Sequence, residues 1–219
     1  MNKNQSFQKR YFKNGLSSFD EIEMLEFLLS LRVDNKNHYR LAKELTSRYK
    51  CLNNIIDESD LELKKISGFR EEHLIGIKLP YQVANIYLYE KTKMNPVTSD
   101  PDAVYNYLIH SMRGNKNEQF NVLYLNSRNE VLTNEVMFNG TINQVSVYPR
   151  EIIKSALKYN ASSLILAHNH PSGNPNPSNE DINMTNCIKD ITKLLDINLL
   201  DHIIIAGDKY LSFSEKRLL

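Results

Sequence analysis

The stretch from Ala167 to Asp181, AHNHPSGNPNPSNED, limits what this chain can fold into more than any other. Ahead of it, Ala161-Ser162-Ser163-Leu164-Ile165-Leu166 is a short apolar segment bounded by polar residues, the pattern of a buried strand. Behind it, Ile182, Cys187, Ile188, Ile191, Leu194 and Leu195 recur at helical spacing. The intervening Pro, Asn, Ser and Gly residues supply turn chemistry. The stretch therefore predicts a strand, a loop and a helix in succession, with two histidines at the front and a carboxylate at the back.

His168 and His170 are two residues apart, so at a strand end both side chains leave on one face. Ser178 is placed to cap the following helix, with Asp181 in its first turn. The loop can fold that carboxylate back over the two imidazoles. Each part alone has an ordinary reading: a hydrogen-bonded histidine pair, and a capping box. Taken jointly they read as a metal site, and two His plus one Asp with a fourth position open is the arrangement of catalytic zinc. A structural zinc site is usually closed by four protein ligands, and neither Cys51 nor Cys187 has a paired spacing.

His168-x-His170, then Ser178 and Asp181, resembles the JAMM (MPN+) metalloprotease signature. The longer string from His168 through Asp181 is similar to the RadC branch of that superfamily. The flanks agree: Phe138-Asn139-Gly140-Thr141, Val147-Tyr148-Pro149-Arg150-Glu151 and Leu200-Asp201-His202-Ile203-Ile204. The resemblance implies an α/β sandwich of the MPN (JAMM-like) kind, preceded by a small all-α, helix-hairpin-helix-like domain. It implies Zn2+ held by His168, His170 and Asp181. It also implies a general base from an early strand, for which Glu118, opening Glu118-Gln119-Phe120-Asn121-Val122, is the first choice, Glu151 the second and Glu135 the third. Ser178 would donate to the developing oxyanion. The expected function is a zinc-dependent hydrolase, a metallopeptidase cleaving a peptide or isopeptide-like amide in a peptide or protein substrate. The competing expectation is a DNA-repair-associated adaptor that binds nucleic acid with little or no catalysis.

The rest of the chain bounds these expectations. There is no run of about 18 apolar residues, so no membrane span is expected. Met1 to Lys13 is polar and basic, unlike a secretory signal, and two cysteines without redox spacing fit a reducing cytoplasm. The net charge of +1 makes no overall case for nucleic acid, and the split of +3 over residues 1–99 against −2 over 100–219 is too small to decide a partner.

Residues 1–94 are expected to be the helical domain, 95–101 a linker and 102–219 the metal-binding domain. In the first, helices are expected from Ser18-Phe19-Asp20-Glu21, over Asn37 to Tyr49, and from Asp57-Glu58-Ser59-Asp60. Pro80 should kink or break the helical pattern beyond the turn at Ile66-Ser67-Gly68-Phe69. That turn carries one glycine where a DNA-binding hairpin usually has two, and Glu71 and Glu72 follow where basic residues would help. The hairpin is therefore expected to be structural, with at most a weak DNA contact. In the second domain the pattern predicts a helix over Asp102 to Met112 and a hairpin of Gln119 to Asn126 with Glu130 to Asn139. A strand over Ile142 to Tyr148 and a helix from Pro149 come next, and then the motif unit. A strand from Leu199 to Ala206 and a final hairpin strand at Tyr210 complete it. Asp201 is a candidate hydrogen-bond partner of a ligand histidine, and His202 reads as a buried, hydrogen-bonded histidine.

Overall fold

The computed structural model describes residues 3–31, 37–140 and 148–219. By contacts the chain divides into two compact units, Met1–Ala84 and Asn85–Leu219, and the boundary falls inside one long helix.

The first unit is helical. Helix α1 (Lys3–Asn14) has one face that meets a cluster of Phe7, Phe19 and Phe27, and the Arg10 guanidinium lies 4.2 Å over the Phe19 ring. Helix α2 (Glu21–Ser30) starts where the sequence predicts, with Asp20 and Glu23 forming a reciprocal capping box. Helix α3 (His38–Tyr49), the short α4 (Leu52–Asp57) and α5 (Asp60–Lys64, capped by Ser59) enclose a core of Leu25, Leu29, Leu41, Leu45, Ile55 and Leu63. Gly68 makes the tight turn after α5 at φ +86°, where a side chain would be strained.

Helix α6 (Glu71–Thr92) runs through Pro80, so of the expected kink or break the break does not occur. A proline ring collides with the carbonyl four residues earlier, and here that residue is Gly76, whose backbone adapts most readily. Gly76 also lies where α6 meets α2: a Cβ there would sit 2.4 Å from the Leu28 carbonyl oxygen.

The second unit is the α/β sandwich that the sequence predicts. Among the described residues five strands, β1 (Glu118–Leu125), β2 (Val131–Gly140), β3 (Ser163–Asn169), β4 (Asn198–Ala206) and β5 (Lys209–Ser212), form one sheet in the order β2-β1-β3-β4-β5. All pairs are antiparallel except β3 with β4. That parallel pair needs a crossover, which α9 (Asn179–Lys193) provides. The strand expected over Ile142–Tyr148 lies, apart from Tyr148, outside the described residues; Tyr148 precedes α8 (Pro149–Lys158).

Period-two alternation sorts the sheet's side chains onto two faces. Leu123, Leu125, Ile165, Ala167, Ile203 and Ile205 pack with α7 (Pro101–Met112) through Val104, Tyr107 and Leu108. Phe120, Val122, Tyr124, Leu164 and Leu166 pack on the other face with Ile152 and Ala156 of α8 and Ile188 of α9. Strand β3 is therefore buried on both sides along its whole length, a rigid mount for the residues at its end. Val97, within the expected linker, is buried in the core under α7. Among the described residues no helix is long and apolar enough to cross a membrane.

Candidate metal centre

Three side chains converge beyond the end of β3. His168, the last residue but one of the strand, lies on the α8/α9 face, opposite Phe120 of β1. His170 stands two residues on, and its backbone N–H donates to the Ile205 carbonyl at 2.7 Å, which extends the pairing with β4 by one bond. The two Nε2 atoms lie 2.9 Å apart. Asp181 sits at the third position of α9 and brings Oδ1 to 3.1 Å from His168 Nε2 and Oδ2 to 3.4 Å from His170 Nε2.

The placement of Asp181 is itself a matter of helix chemistry. Ser178 is the N-cap of α9: its Oγ accepts the Asp181 N–H at 3.1 Å, while the Asp181 carboxylate accepts the Ser178 N–H at 2.8 Å and its hydroxyl at 2.7 Å. This capping box fixes the carboxylate's rotamer, so the same two residues begin the helix and complete the cluster.

These atoms suit a divalent cation. His170 Nδ1 lies 2.8 Å from the Asn174 carbonyl oxygen, which only accepts, so the proton is on Nδ1 and Nε2 offers a lone pair. A tetrahedral cation with bonds of about 2.1 Å keeps its ligand atoms roughly 3.4 Å apart, close to the separations seen here. Two imidazoles and a carboxylate are the donor set of first-row metals. The hydrogen bond to Asp181 raises the pKa of His170, and the charges of Asp181 and Glu118 add to that. Burial alone would raise the Asp181 carboxyl, but the two facing imidazoles and the Ser178 hydroxyl outweigh it and hold the group far below the usual carboxylate range.

Glu118 opens β1 on the face that carries His168, because Phe120, two residues on, is the direct partner of His168. Its side chain is half-buried, and its charge registers at His170. The neighbouring backbone is pinned from behind. The Asn169 amide accepts the Gln119 N–H at 2.8 Å and donates to the carbonyls of Asn115 and Asn117, both at 3.1 Å. The other two carboxylates have different partners. Glu151 is exposed and paired with Arg150 and Lys154 at the start of α8. Glu135 accepts the Tyr159 hydroxyl and lies 3.9 Å from Lys158.

Two expectations about β4 separate here. His202 is fully buried and hydrogen-bonded, its Nε2 2.8 Å from His168 Nδ1. Asp201 does not reach a ligand histidine: it accepts the backbone N–H groups of His202 and Ser214 and the Ser212 hydroxyl. The reason is alternation, since adjacent strand residues face opposite sides and only one of the two can face His168. Sequence reasoning also passes over Thr185, whose Oγ1 lies 2.6 Å from His202 Nδ1. The signal that could find it is its spacing, one helical turn beyond Asp181.

Comparison with known proteins bears on this cluster directly. Residues 98–218 match the RadC-like JAB domain. The chain belongs to this family. Its RadC-like relatives include UPF0758 proteins of Pseudoalteromonas translucida (37% identical, covering 97% of this chain and 95% of the relative) and Fusobacterium nucleatum (36%, 98% and 96%). A third, from Carboxydothermus hydrogenoformans, is 35% identical over 96% of this chain and 93% of its own. The RadC-like segment contains all three converging residues together with Glu118 and Ser178, and its family supports a hydrolase fold of the JAMM type that is typically metal-dependent.

Proposed function

We propose that this chain is a zinc-dependent hydrolase of the JAMM type, a metallopeptidase that cleaves a peptide or isopeptide-like amide bond in a peptide or protein substrate. The observation that carries the reading is the convergence of two imidazole Nε2 atoms and one carboxylate, 2.9 to 3.4 Å apart, at the end of a buried strand. In this reading His168, His170 and Asp181 hold the ion. The chemistry zinc supplies at such a site is acidification of a water molecule to a pKa of about 7 and polarisation of a carbonyl. Glu118 takes a proton from the attacking water and returns it to the leaving nitrogen. The Ser178 hydroxyl, now donated to Asp181, turns to the oxyanion as it develops, a contact worth about 3 kcal/mol.

The test begins with elemental analysis of the purified chain, wild type against His170→Ala. About one zinc per chain, lost in the variant, supports the site and leads to peptidase assays with Glu118→Gln as control. No metal in the wild type after reconstitution with zinc would remove the hydrolase reading. Binding of branched or single-stranded DNA by such a chain, with a steep salt dependence, would favour the adaptor instead.

A further inference from the structure

We propose that His202 and Thr185 are positioning residues that lock the proton of His168 on Nδ1 and so present its Nε2 bare to the cation. The inference rests on the metal reading above, but its central claim concerns the metal-free chain.

A single chain of hydrogen bonds starts from an end whose polarity is fixed. Thr185 Oγ1 lies 2.6 Å from the main-chain oxygen of Asp181, which can only accept, so the threonine proton is committed there. With that proton spent, Oγ1 serves His202 Nδ1, also 2.6 Å away, as an acceptor, and His202 carries its proton on Nδ1. A neutral His202 then has a bare Nε2, 2.8 Å from His168 Nδ1, and His168 must donate. One proton per ring leaves His168 Nε2 with its lone pair toward His170 and Asp181.

The surroundings keep this order from being scrambled. His202 and Thr185 are 0% and 1% exposed, so water does not compete for their bonds. The His202 ring lies between Phe213, stacked at 4.7 Å, and Phe120, edge-on at 5.9 Å, an apolar cage that favours the neutral ring. The chain of bonds also begins at one ligand residue, Asp181, and ends at another, His168. It thus ties α9 to β3 through β4 and fixes both ligands relative to each other.

Thr185→Val keeps the shape and removes the acceptor. His202 Nδ1–H would then be buried without a partner, and the ring escapes that cost by moving its proton to Nε2. His168 must then accept at Nδ1 and carry its proton on Nε2, the atom the cation needs. The test has two parts. Imidazole nitrogen NMR of the metal-free chain should show His168 as the Nδ1–H tautomer in the wild type and in Thr185→Ser, and as Nε2–H in Thr185→Val. Zinc affinity, measured by competition with a chromophoric chelator, should fall about 10- to 100-fold in Thr185→Val and return close to wild type in Thr185→Ser. A wild-type His168 with its proton on Nε2 overturns the inference whether or not zinc binds, and so does undiminished affinity in a folded Thr185→Val. A wild type that shows the expected tautomer but binds no zinc refutes the hydrolase reading and leaves the proton order standing.

Discussion

Ser178 occupies two positions at once, and alanine and asparagine separate them. Its Oγ accepts the Asp181 N–H at 3.1 Å as the N-cap of α9 and donates to the Asp181 carboxylate at 2.7 Å. Losing an N-cap hydroxyl costs about 1 kcal/mol. Because Ser178 is exposed, its bond to the carboxylate adds little to that. For a unit of this size the loss is a fall in Tm of about 3–5 °C. Asparagine caps as well as serine does, so Ser178→Asn should unfold at the wild-type temperature while Ser178→Ala does not. On the proposed reading both variants should bind zinc as wild type does, since the Ser178 backbone N–H still holds the carboxylate at 2.8 Å. Both should lose roughly 100-fold in turnover if the hydroxyl also serves the oxyanion, because about 3 kcal/mol is two decades in rate. The assays are thermal unfolding, zinc content and steady-state hydrolysis. An asparagine variant as unstable as the alanine one would refute the capping argument. An asparagine variant with full turnover would remove the hydroxyl from the chemistry.

Other outcomes are expected from the same structure. On the proposed hydrolase reading, Glu118→Gln should bind zinc as wild type does and lose hydrolysis; loss of zinc with it would make Glu118 a ligand rather than a base. Gly76→Ala sets about 1 kcal/mol of helix propensity against a Cβ 2.4 Å from the Leu28 carbonyl oxygen. The collision should win by about 1–3 kcal/mol, and a variant of raised Tm would show that α2 and α6 can part. Burial, then the neighbouring His38 and Arg70, lowers the pKa of His73. A depressed histidine contributes stability that is full above its unfolded value near 6.5 and is lost as pH falls through the folded one. Amide exchange in α3 should therefore accelerate on acidification, and less so in His73→Gln; equal acceleration in both would clear His73 of that role.

Much of the site is legible in the sequence because its parts are local. The strand into His168, the turn residues and the Ser178–Asp181 cap all lie within about 20 residues and obey period-two, turn and capping rules in turn. The illegible part is non-local. The pairing of β1 with β3, which puts Phe120 opposite His168 and Glu118 on the same face, links segments 48 positions apart. Nothing in either segment names the other. The parallel pairing that brings His202 under His168 is equally silent, so Asp201 and His202 are equal candidates until β4 has a neighbour. Helix α1 is hard to see because only a few aromatics mark its buried side, and α4 because it is barely more than a turn. Pro80 does not break α6, because the rule for proline does not consult the residue one turn back, here Gly76.

Three consecutive residues at the end of β3 serve opposite sides of the sheet. His168 and His170 go to the cluster, while Asn169 goes to the backbone around Glu118. The centre is therefore a parity device. Inserting or deleting one residue in β3 would not loosen it by degrees but exchange its faces, sending the amide to the Asp181 side and both imidazoles to the far side. Point substitutions can grade this site, whereas changes of length can only keep it or invert it.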